Sequence, residues 1–292
     1  MSETAAPPAP SHPLTATDHR ARGAALAVRA LGSVSTAAAA RLAEALFCKT
    51  LRPPPRPDEA RFLGSARRFA VRAVGVSIAG YRWGPEGAPR VLLAHGWWSH
   101  GGRFVALAAA LCSRGFEVVA FDAPGHGRSG GWRATMPEFA WTIRAVADTV
   151  GPLHATVGHS LGGAASIFAL SRGLAAGRAI VISAPADVPH WADRFRDALR
   201  LAPEVDSRMR RNLERRLGVR FEELMINRVA GALRLPGLVI HDADDRDVPQ
   251  AEGREIAADW PGAEFRGTRG LGHRKVLRDP DVIRWVGEFV AG

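Results

Sequence analysis

A serine lies in the middle of the pentapeptide Gly158-His159-Ser160-Leu161-Gly162, which fits the pattern G-x-S-x-G. Residues 153–157 before it are β-prone, and the Ala-rich residues 163–170 after it are typical of a helix. A serine on such a sharp strand-to-helix turn keeps its hydroxyl exposed, and flanking glycines avoid the clash that a Cβ would cause. The start of the helix directs N–H groups and partial positive charge at the reacting centre. The pattern predicts nucleophilic attack by Ser160 on a carbonyl carbon.

A nucleophilic serine needs a base to take its proton and an acid to orient that base. Candidates for both lie downstream, where the apolar residues 238–240 lead into His241 and a cluster of aspartates, and where a glycine-bracketed histidine, His273, follows. Upstream, the apolar residues 91–94 lead into His95-Gly96-Trp97. The candidate groups therefore occur in the order serine, acid, histidine, and each lies at the end of a predicted strand.

With these motifs in register, the chain resembles the α/β-hydrolase-fold serine hydrolases of the bacterial, lid-bearing kind, which include esterases and serine aminopeptidase-like proteins. The resemblance covers the sequence from about Arg72 to its end. It implies a mostly parallel twisted sheet with helices on both faces and a helical lid insertion. It is far less specific for the substrate, because this fold hosts many reactions. The motifs are His95-Gly96-Trp97 and the segments 122–129, 158–163, 241–249 and 270–273.

The resemblance also implies roles for individual residues. Ser160 is the nucleophile, and His273 is the general base, since it alone among the histidines follows the last predicted strand in a glycine-rich loop. Alignment of 241–249 with the family pattern H-G-x-x-D-x-x-V-P makes Asp245 the triad acid, with Asp244 as the alternative. Asp242 stands where the family has glycine.

The oxyanion hole requires two backbone donors. The resemblance assigns these to the N–H groups of Trp97 and Leu161. Trp98 and His159 are the candidate substrate-binding residues, although His159 is expected to point away from Ser160 along the turn. Trp97 and Trp98 could equally be large apolar residues packed under the lid, and both interpretations stay open.

The composition favours a globular protein with one large domain over a nucleic-acid-binding or membrane-spanning protein. The 292 residues, 47% of them hydrophobic, suffice for one large domain. The net charge is +10, but almost all of the positive charge is arginine, as in GC-rich genomes, and no nucleic-acid motif is present. Cys48 and Cys112 have no metal-ligand or disulfide spacing and fit a cytoplasmic enzyme. No metal, organic cofactor, nucleic acid or membrane span is expected, since Arg29 and Arg41 interrupt the most apolar early stretch.

The chain divides into three parts by pattern. Residues 1–20 predict a disordered arm. Residues 21–65 predict a helix over 24–47 and a Pro-rich linker, and residues 66–292 predict the α/β-hydrolase domain. The helix either docks on the hydrolase domain, which its amphipathicity favours, or contacts a membrane surface weakly.

Within the domain, residues 69–83 predict an antiparallel hairpin, after which strands alternate with helices. The predicted strands are 91–94, 117–121, 156–158, 179–183, 237–241 and 264–266, and the predicted helices are 104–113, 136–150, 161–172, 250–259 and 281–290.

Residues 187–233 interrupt this alternation with a long, charged, helical pattern that predicts a lid over the C-terminal strand edges. Its arginines either receive an anionic substrate or lie on a solvated surface in pairs such as Arg210–Glu214, which is the favoured interpretation.

The sequence thus predicts a serine hydrolase that cleaves a small-molecule carboxylic ester through an acyl-enzyme. The alternatives are an amidase or peptidase of the same fold, a cofactor-free perhydrolase or haloperoxidase, and a catalytically inactive binding protein.

Overall fold

The computed structural model describes residues 19–292, with side chains from Arg22 onward. The predicted disordered arm lies outside the described residues, except that its last two residues belong to the first helix. Within residues 19–292, no helix is long and apolar enough to cross a membrane.

Eight strands form one twisted sheet in the order β1-β2-β4-β3-β5-β6-β7-β8. The first two strands form an antiparallel hairpin, as predicted, and every pair from β4 to β8 is parallel. The strands are β1 Arg67–Ala73, β2 Val76–Trp83, β3 Arg90–Ala94, β4 Glu117–Phe121, β5 Leu153–His159, β6 Ala176–Ile182, β7 Gly237–Asp242 and β8 Ala263–Thr268. All six parallel strands predicted from the sequence are present, most of them a few residues longer than predicted.

Helices cover both faces of the sheet, and short 3₁₀ turns lie at 101–104, 221–224 and 276–278. The α-helices are α1 His19–Gly32, α2 Thr36–Phe47, α3 Pro57–Gly64, α4 Val105–Ser113, α5 Met136–Val150, α6 Leu161–Ser171, α7 Val188–Leu199, α8 Pro203–Leu217, α9 Ile226–Ala230, α10 Gln250–Asp259, α11 Gly272–Lys275 and α12 Pro280–Ala291.

The alternation of strand side chains creates two hydrophobic cores, one on each face of the sheet. On β3, Leu92 and Ala94 join one core, whereas Val91 and Leu93 join the other. All five residues of β4 are buried. Such strands, apolar on both faces, are typical of a parallel sheet covered by helices on each side.

The N-terminal segment differs from the single helix predicted over 24–47. Two helices, α1 and α2, are separated at residues 33–35, where Ser35 caps α2 by accepting the Ala38 N–H at 3.3 Å. A serine at this position favours a new helix start over continuation of the first helix. The predicted linker also contains α3, which begins with Pro57 at a position where a missing N–H costs nothing.

Helices α1 and α2 pack against α7 and α8 and form a third core. Small residues on α2 allow close approach to apolar residues of α7 and α8. The buried members are Val28, Ala39, Ala40, Ala43, Cys48, Phe195, Leu199, Leu201, Val205, Met209 and Leu213. The inward face of the N-terminal segment is therefore docked within the protein, as the amphipathic pattern favoured.

Candidate active site

Ser160 lies on a strained turn between β5 and α6, with φ 54° and ψ −127°. Few non-glycine residues adopt such a conformation, and strain of this kind clusters at functional sites. A Cβ at Gly158 would lie 2.5 Å from the Gly163 Cα, and a Cβ at Gly162 would lie 2.2 Å from the Ala94 carbonyl oxygen. The two glycines of the pentapeptide are therefore required because backbone packs directly against them.

The loop after β3 approaches this turn closely. A Cβ on Gly96 would lie 2.8 Å from the Ser160 Cβ and 3.3 Å from its Oγ. The next residue, Trp97, brings its N–H into this loop, and Leu161 is the first residue of α6, so its N–H has no acceptor within the helix. Both predicted oxyanion-hole residues thus belong to segments that meet at Ser160.

Two buried histidines connect this loop to the segment after β4. His95 Nε2 accepts the Ala123 N–H at 2.9 Å, and His126 Nε2 accepts the Trp98 N–H at 3.0 Å. Burial lowers the pKa of His95 to about 4 and the pKa of His126 to about 3, so both rings are neutral acceptors near neutral pH. Sequence reasoning left these histidines without a role. Their signal lay in the motifs His95-Gly96 and 124–127.

Asp122 also fixes the segment after β4. Its Oδ1 accepts the Gly101 N–H at 2.8 Å, and its Oδ2 accepts the Tyr81 hydroxyl at 2.8 Å and the Arg128 N–H at 2.8 Å. This carboxylate is buried. It was part of a recognised motif, but the sequence did not indicate which groups it would bind.

His273 and Asp245 are brought together at the opposite side of the site. His273 Nδ1 lies 2.8 Å from Asp245 Oδ2, while Asp245 Oδ1 accepts the N–H groups of Asp247 and Val248, each at 2.9 Å. Burial alone would raise the pKa of Asp245, but hydrogen bonds from His241, His273 and the Val248 N–H hold it well below its usual range. Asp245 is therefore an anion in contact with the His273 ring.

The alternative acid, Asp244, lies elsewhere. Its side chain is directed to the backbone of the loop before His273, where Oδ2 accepts the Gly270 N–H at 2.8 Å. The neighbouring Asp242 is fully buried and also binds this loop. The aspartates of this cluster thus have different partners, and Asp245 is the one that contacts the His273 ring.

The two predicted substrate-binding residues differ in placement. Trp98 is partly exposed and has a positive φ of 50° beside the Gly96 approach. His159 is only 5% exposed, and its Nε2 lies 2.8 Å from the His273 carbonyl oxygen. Burial lowers the pKa of His159 to about 3. His159 therefore supports the His273 backbone, and its burial argues against the predicted contact with substrate.

The arginines between β6 and β7 are partly engaged in ion pairs. Arg210 pairs with Asp193 and Asp206 at 2.8 and 3.0 Å, whereas the pair predicted with Glu214 does not form. Glu214 instead accepts the Phe221 N–H at 3.1 Å. Surface pairs of this kind contribute little free energy, which agrees with a solvated helix more than with a buried anion site.

Arg216 makes a different set of contacts. It reaches Glu44 of α2 at 3.1 Å and Glu138 of α5 at 2.7 Å, so it connects α8 to the N-terminal helices and to the sheet-covering helix α5. Its guanidinium also lies 3.7 Å from the sulfur of buried Cys48, whose pKa burial raises to about 12. Cys48 is thus an inert thiol. Within residues 19–292, no cluster of His, Cys, Asp or Glu is placed to hold a metal ion.

Comparison with known proteins finds partial similarity to a serine aminopeptidase family model and to several esterases and lipases. The family model described as serine aminopeptidase, S33, matches residues 86–224, just under half of the chain. The match includes Ser160 and ends before β7, so it contains neither Asp245 nor His273.

Curated relatives resemble only part of the chain. A monoacylglycerol lipase of Mycolicibacterium smegmatis is 36% identical over 126 residues, which are 40% of this chain and 45% of that protein. A bifunctional esterase/perhydrolase of Acinetobacter calcoaceticus is 37% identical over 34% of this chain and 37% of its own length. Human monoglyceride lipase is 34% identical over 33% of this chain and 35% of its own length. The chain thus spans less than half the length of these relatives.

Solved structures agree in fold over most of the chain. An esterase of Pyrococcus furiosus superposes with a TM-score of 0.63 at 18% identity, covering 83% of this chain and 97% of that one. An esterase of a Rhodococcus species superposes with a TM-score of 0.57 at 20% identity, covering 78% and 99%. These likenesses show the α/β-hydrolase fold.

Proposed function

Starting from the α/β-hydrolase fold that this chain has, we propose that it is a serine hydrolase that cleaves small-molecule carboxylic esters through an acyl-enzyme. The observation that carries the proposal is the joint placement of a strained serine and an anion-paired histidine. Ser160 has φ 54° on the turn before α6, and His273 Nδ1 lies 2.8 Å from the buried carboxylate of Asp245. His159, adjacent to Ser160, contacts the His273 backbone and so links the two parts of the site.

In this mechanism the Ser160 hydroxyl attacks the ester carbonyl while His273 removes its proton. Asp245 orients the ring and stabilises the imidazolium that forms. The N–H groups of Trp97 and Leu161 donate to the developing oxyanion. Collapse of the tetrahedral intermediate expels the alkoxide, which takes the proton from His273, and water then hydrolyses the acyl-enzyme by the same steps.

The helical segment 187–233 serves as the lid in this proposal, residues 66–292 form the hydrolase domain, and residues 21–65 form an added helical arm. Asp187 caps α7 by accepting the His190 N–H at 2.9 Å, and the segment leaves the sheet at the carboxyl end of β6 and returns at the start of β7. In open α/β sheets the carboxyl edge, where this segment begins, is where ligands bind. Trp97 stacks on Phe139 of α5 and is partly exposed, and together with Trp98 it would wall an acyl site of small to medium size.

Two other activities of the same fold are kept as rivals. The matching family model is described as a serine aminopeptidase, and one relative is described as a bifunctional esterase/perhydrolase. An aminopeptidase needs free carboxylates for the substrate ammonium, whereas Asp193 and Asp206 of the lid are paired with Arg210. Glu204 and Glu222 of the same segment are exposed, so the preference for an ester rests on its alkoxide leaving group, which asks less of the general acid than an amine does.

The proposal is tested by hydrolysis of p-nitrophenyl esters with acyl chains of increasing length, using wild type and Ser160→Ala. We expect a serine-dependent optimum at short to medium chains, with turnover reduced at least ~10³-fold in Ser160→Ala. Monoacylglycerol, aminoacyl-anilide and peracid-formation assays run alongside distinguish the rivals. Equal turnover by wild type and Ser160→Ala, with an unchanged melting temperature, would contradict the assignment of the nucleophile.

A further inference from the structure

Asp242 stands at the position where the family pattern H-G-x-x-D has glycine, and its carboxylate makes four hydrogen bonds. Oδ1 accepts the N–H groups of Asp244 and Gly272, both at 2.9 Å. Oδ2 accepts the Thr268 hydroxyl at 2.7 Å and the Leu271 N–H at 3.1 Å. Three of these four donors belong to residues 268–272, which run from the last residue of β8 to His273.

Two of these donors, Leu271 and Gly272, immediately precede His273 in the chain. The loop includes Gly270 at φ 84° and Gly272 at φ 63°, so its backbone has few intrinsic restraints. A glycine in place of Asp242 would supply no acceptor for the loop N–H groups. The carboxylate, which is 0% exposed, instead provides charge-assisted hydrogen bonds in a setting where water cannot replace them.

The pairing of β7 with β8 brings Asp242 next to the loop that precedes His273. Asp242 is the last residue of β7 and pairs with Thr268, the last residue of β8. The carboxylate therefore spans from one strand end to the loop that leaves its neighbour. Asp245, three residues later on the same loop, contacts the His273 ring. One short segment thus holds both the backbone and the ring of the histidine.

We propose that Asp242 is a positioning residue, which fixes the backbone before His273 so that the imidazole meets both Asp245 and Ser160. The inference rests on the proposed role of His273 as general base. Displacement of a catalytic group by about 1 Å can reduce the rate by about 10²-fold. A glycine-rich loop without this anchor would populate such displaced positions, and turnover would fall without any change in substrate contacts.

The test compares wild type with Asp242→Asn, which keeps the shape but replaces one acceptor oxygen with a donor that faces backbone N–H groups. We expect kcat to fall about 10- to 100-fold with KM changed less than about twofold. The downfield NMR resonance of the proton shared by His273 Nδ1 and Asp245 should weaken. Wild-type kcat in Asp242→Asn, or an unchanged resonance, would overturn the proposal.

A matched control separates positioning from general stability. Asp279 accepts the N–H groups of Asp281 and Val282 at 3.0 and 3.1 Å and caps α12, beyond the catalytic loop. Asp279→Asn should lower the melting temperature while kcat and the downfield resonance stay at wild-type values. A loss of kcat in Asp279→Asn equal to that in Asp242→Asn would show that the effect is only destabilisation.

A milder variant covers the case in which Asp242→Asn does not fold. Thr268→Val removes one of the four hydrogen bonds and keeps the carboxylate, and it should lower kcat about fivefold. Wild-type kcat in Thr268→Val would then overturn the proposal.

Failure of the proposed function has a different signature from failure of this inference. If the proposed function is wrong, the wild type itself shows no ester turnover. The rate at which a fluorophosphonate labels Ser160 is then measured in place of kcat for the wild type and the same variants. That rate also depends on His273 as the base, but it does not require an ester as the natural substrate. Slower labelling in Asp242→Asn than in Asp279→Asn is expected, and equal rates would contradict the role of Asp242.

Discussion

The two halves of the candidate site are held by different kinds of interaction. Around Ser160, backbone packs against glycine, as at Gly96 and Gly162, and neutral histidines accept single N–H bonds. Around His273, carboxylates of Asp242 and Asp245 accept several bonds each. We call these the serine half and the histidine half.

The difference corresponds to what each half does in the proposed reaction. The serine half must hold N–H donors at a fixed place where negative charge develops, and close backbone packing gives that rigidity beside Ser160, while the Asp122 carboxylate binds further along the same loop at Gly101. The histidine half must stabilise a cation that forms during the reaction, and buried carboxylates supply the opposite charge. Close backbone packing therefore lies next to Ser160, and carboxylates lie next to His273.

The largest effect is expected in the histidine half. Asp245→Asn removes the negative charge at 2.8 Å from His273 Nδ1 and favours the wrong tautomer, so kcat should fall about 10⁴-fold. Asp244→Asn should cost far less, because the Asp244 carboxylate binds the Gly270 N–H and not the ring. The measurement is kcat for both variants on the best p-nitrophenyl ester. A larger loss in Asp244→Asn would assign the triad acid to that residue.

In the serine half the expected loss is one of stability. Gly162→Ala would place a Cβ 2.2 Å from the Ala94 carbonyl oxygen, and backbone cannot move aside as a flexible side chain can. We expect the free energy of unfolding to fall by about 3 kcal/mol, measured by denaturant titration. Gly64→Ala is the matched control, since a Cβ there meets no atom within 4 Å. Equal free energies of unfolding for the two variants would show that the turn at Ser160 tolerates an added methyl group at Gly162.

Much of the architecture could be predicted because its signal is local. The buried strands 117–121 and 237–241 are short apolar runs bounded by polar or turn residues, and α5 and α10 match their predicted bounds. Ser160 and Gly162 carry a pattern that only a tight turn explains. The contact between His273 and Asp245 also follows from strand ends that meet at one edge.

The remaining features depend on contacts between distant segments. The break between α1 and α2 and the docking of α2 on α8 depend on surfaces from opposite ends of the chain, which periodicity alone cannot pair. The burial of His159 against the His273 backbone likewise depends on two loops meeting. The role of Asp242 was hidden because a departure from a pattern does not say which donors the new side chain will bind.

The smallest expected effect per residue is on the free energy of unfolding at acidic pH. The ionisable groups of the two halves should affect it in different pH ranges. Burial holds the pKa of His95 near 4 and that of His126 near 3, whereas an unfolded histidine titrates near 6.5. Between these values the unfolded chain binds more protons than the folded one. Each of these histidines should therefore lower the free energy of unfolding by up to about 1.4 kcal/mol per pH unit as the pH falls below 6.5.

The carboxylates of the histidine half titrate in a lower window, because hydrogen bonds hold the pKa of Asp242 and Asp245 below 3.8 in the folded state. Their contribution is complete above about pH 5 and is lost as the pH falls further. Denaturant titrations between pH 8 and 5 should therefore show a slope from the buried neutral histidines, including His159, and not from these two carboxylates. His126→Gln keeps an acceptor for the Trp98 N–H but cannot titrate, so it should reduce that slope by about 1.4 kcal/mol per pH unit while leaving a constant difference from wild type above pH 7. An unchanged slope in His126→Gln would mean that His126 is not buried as a neutral ring, and the distinction between the two halves would then rest on glycine packing alone.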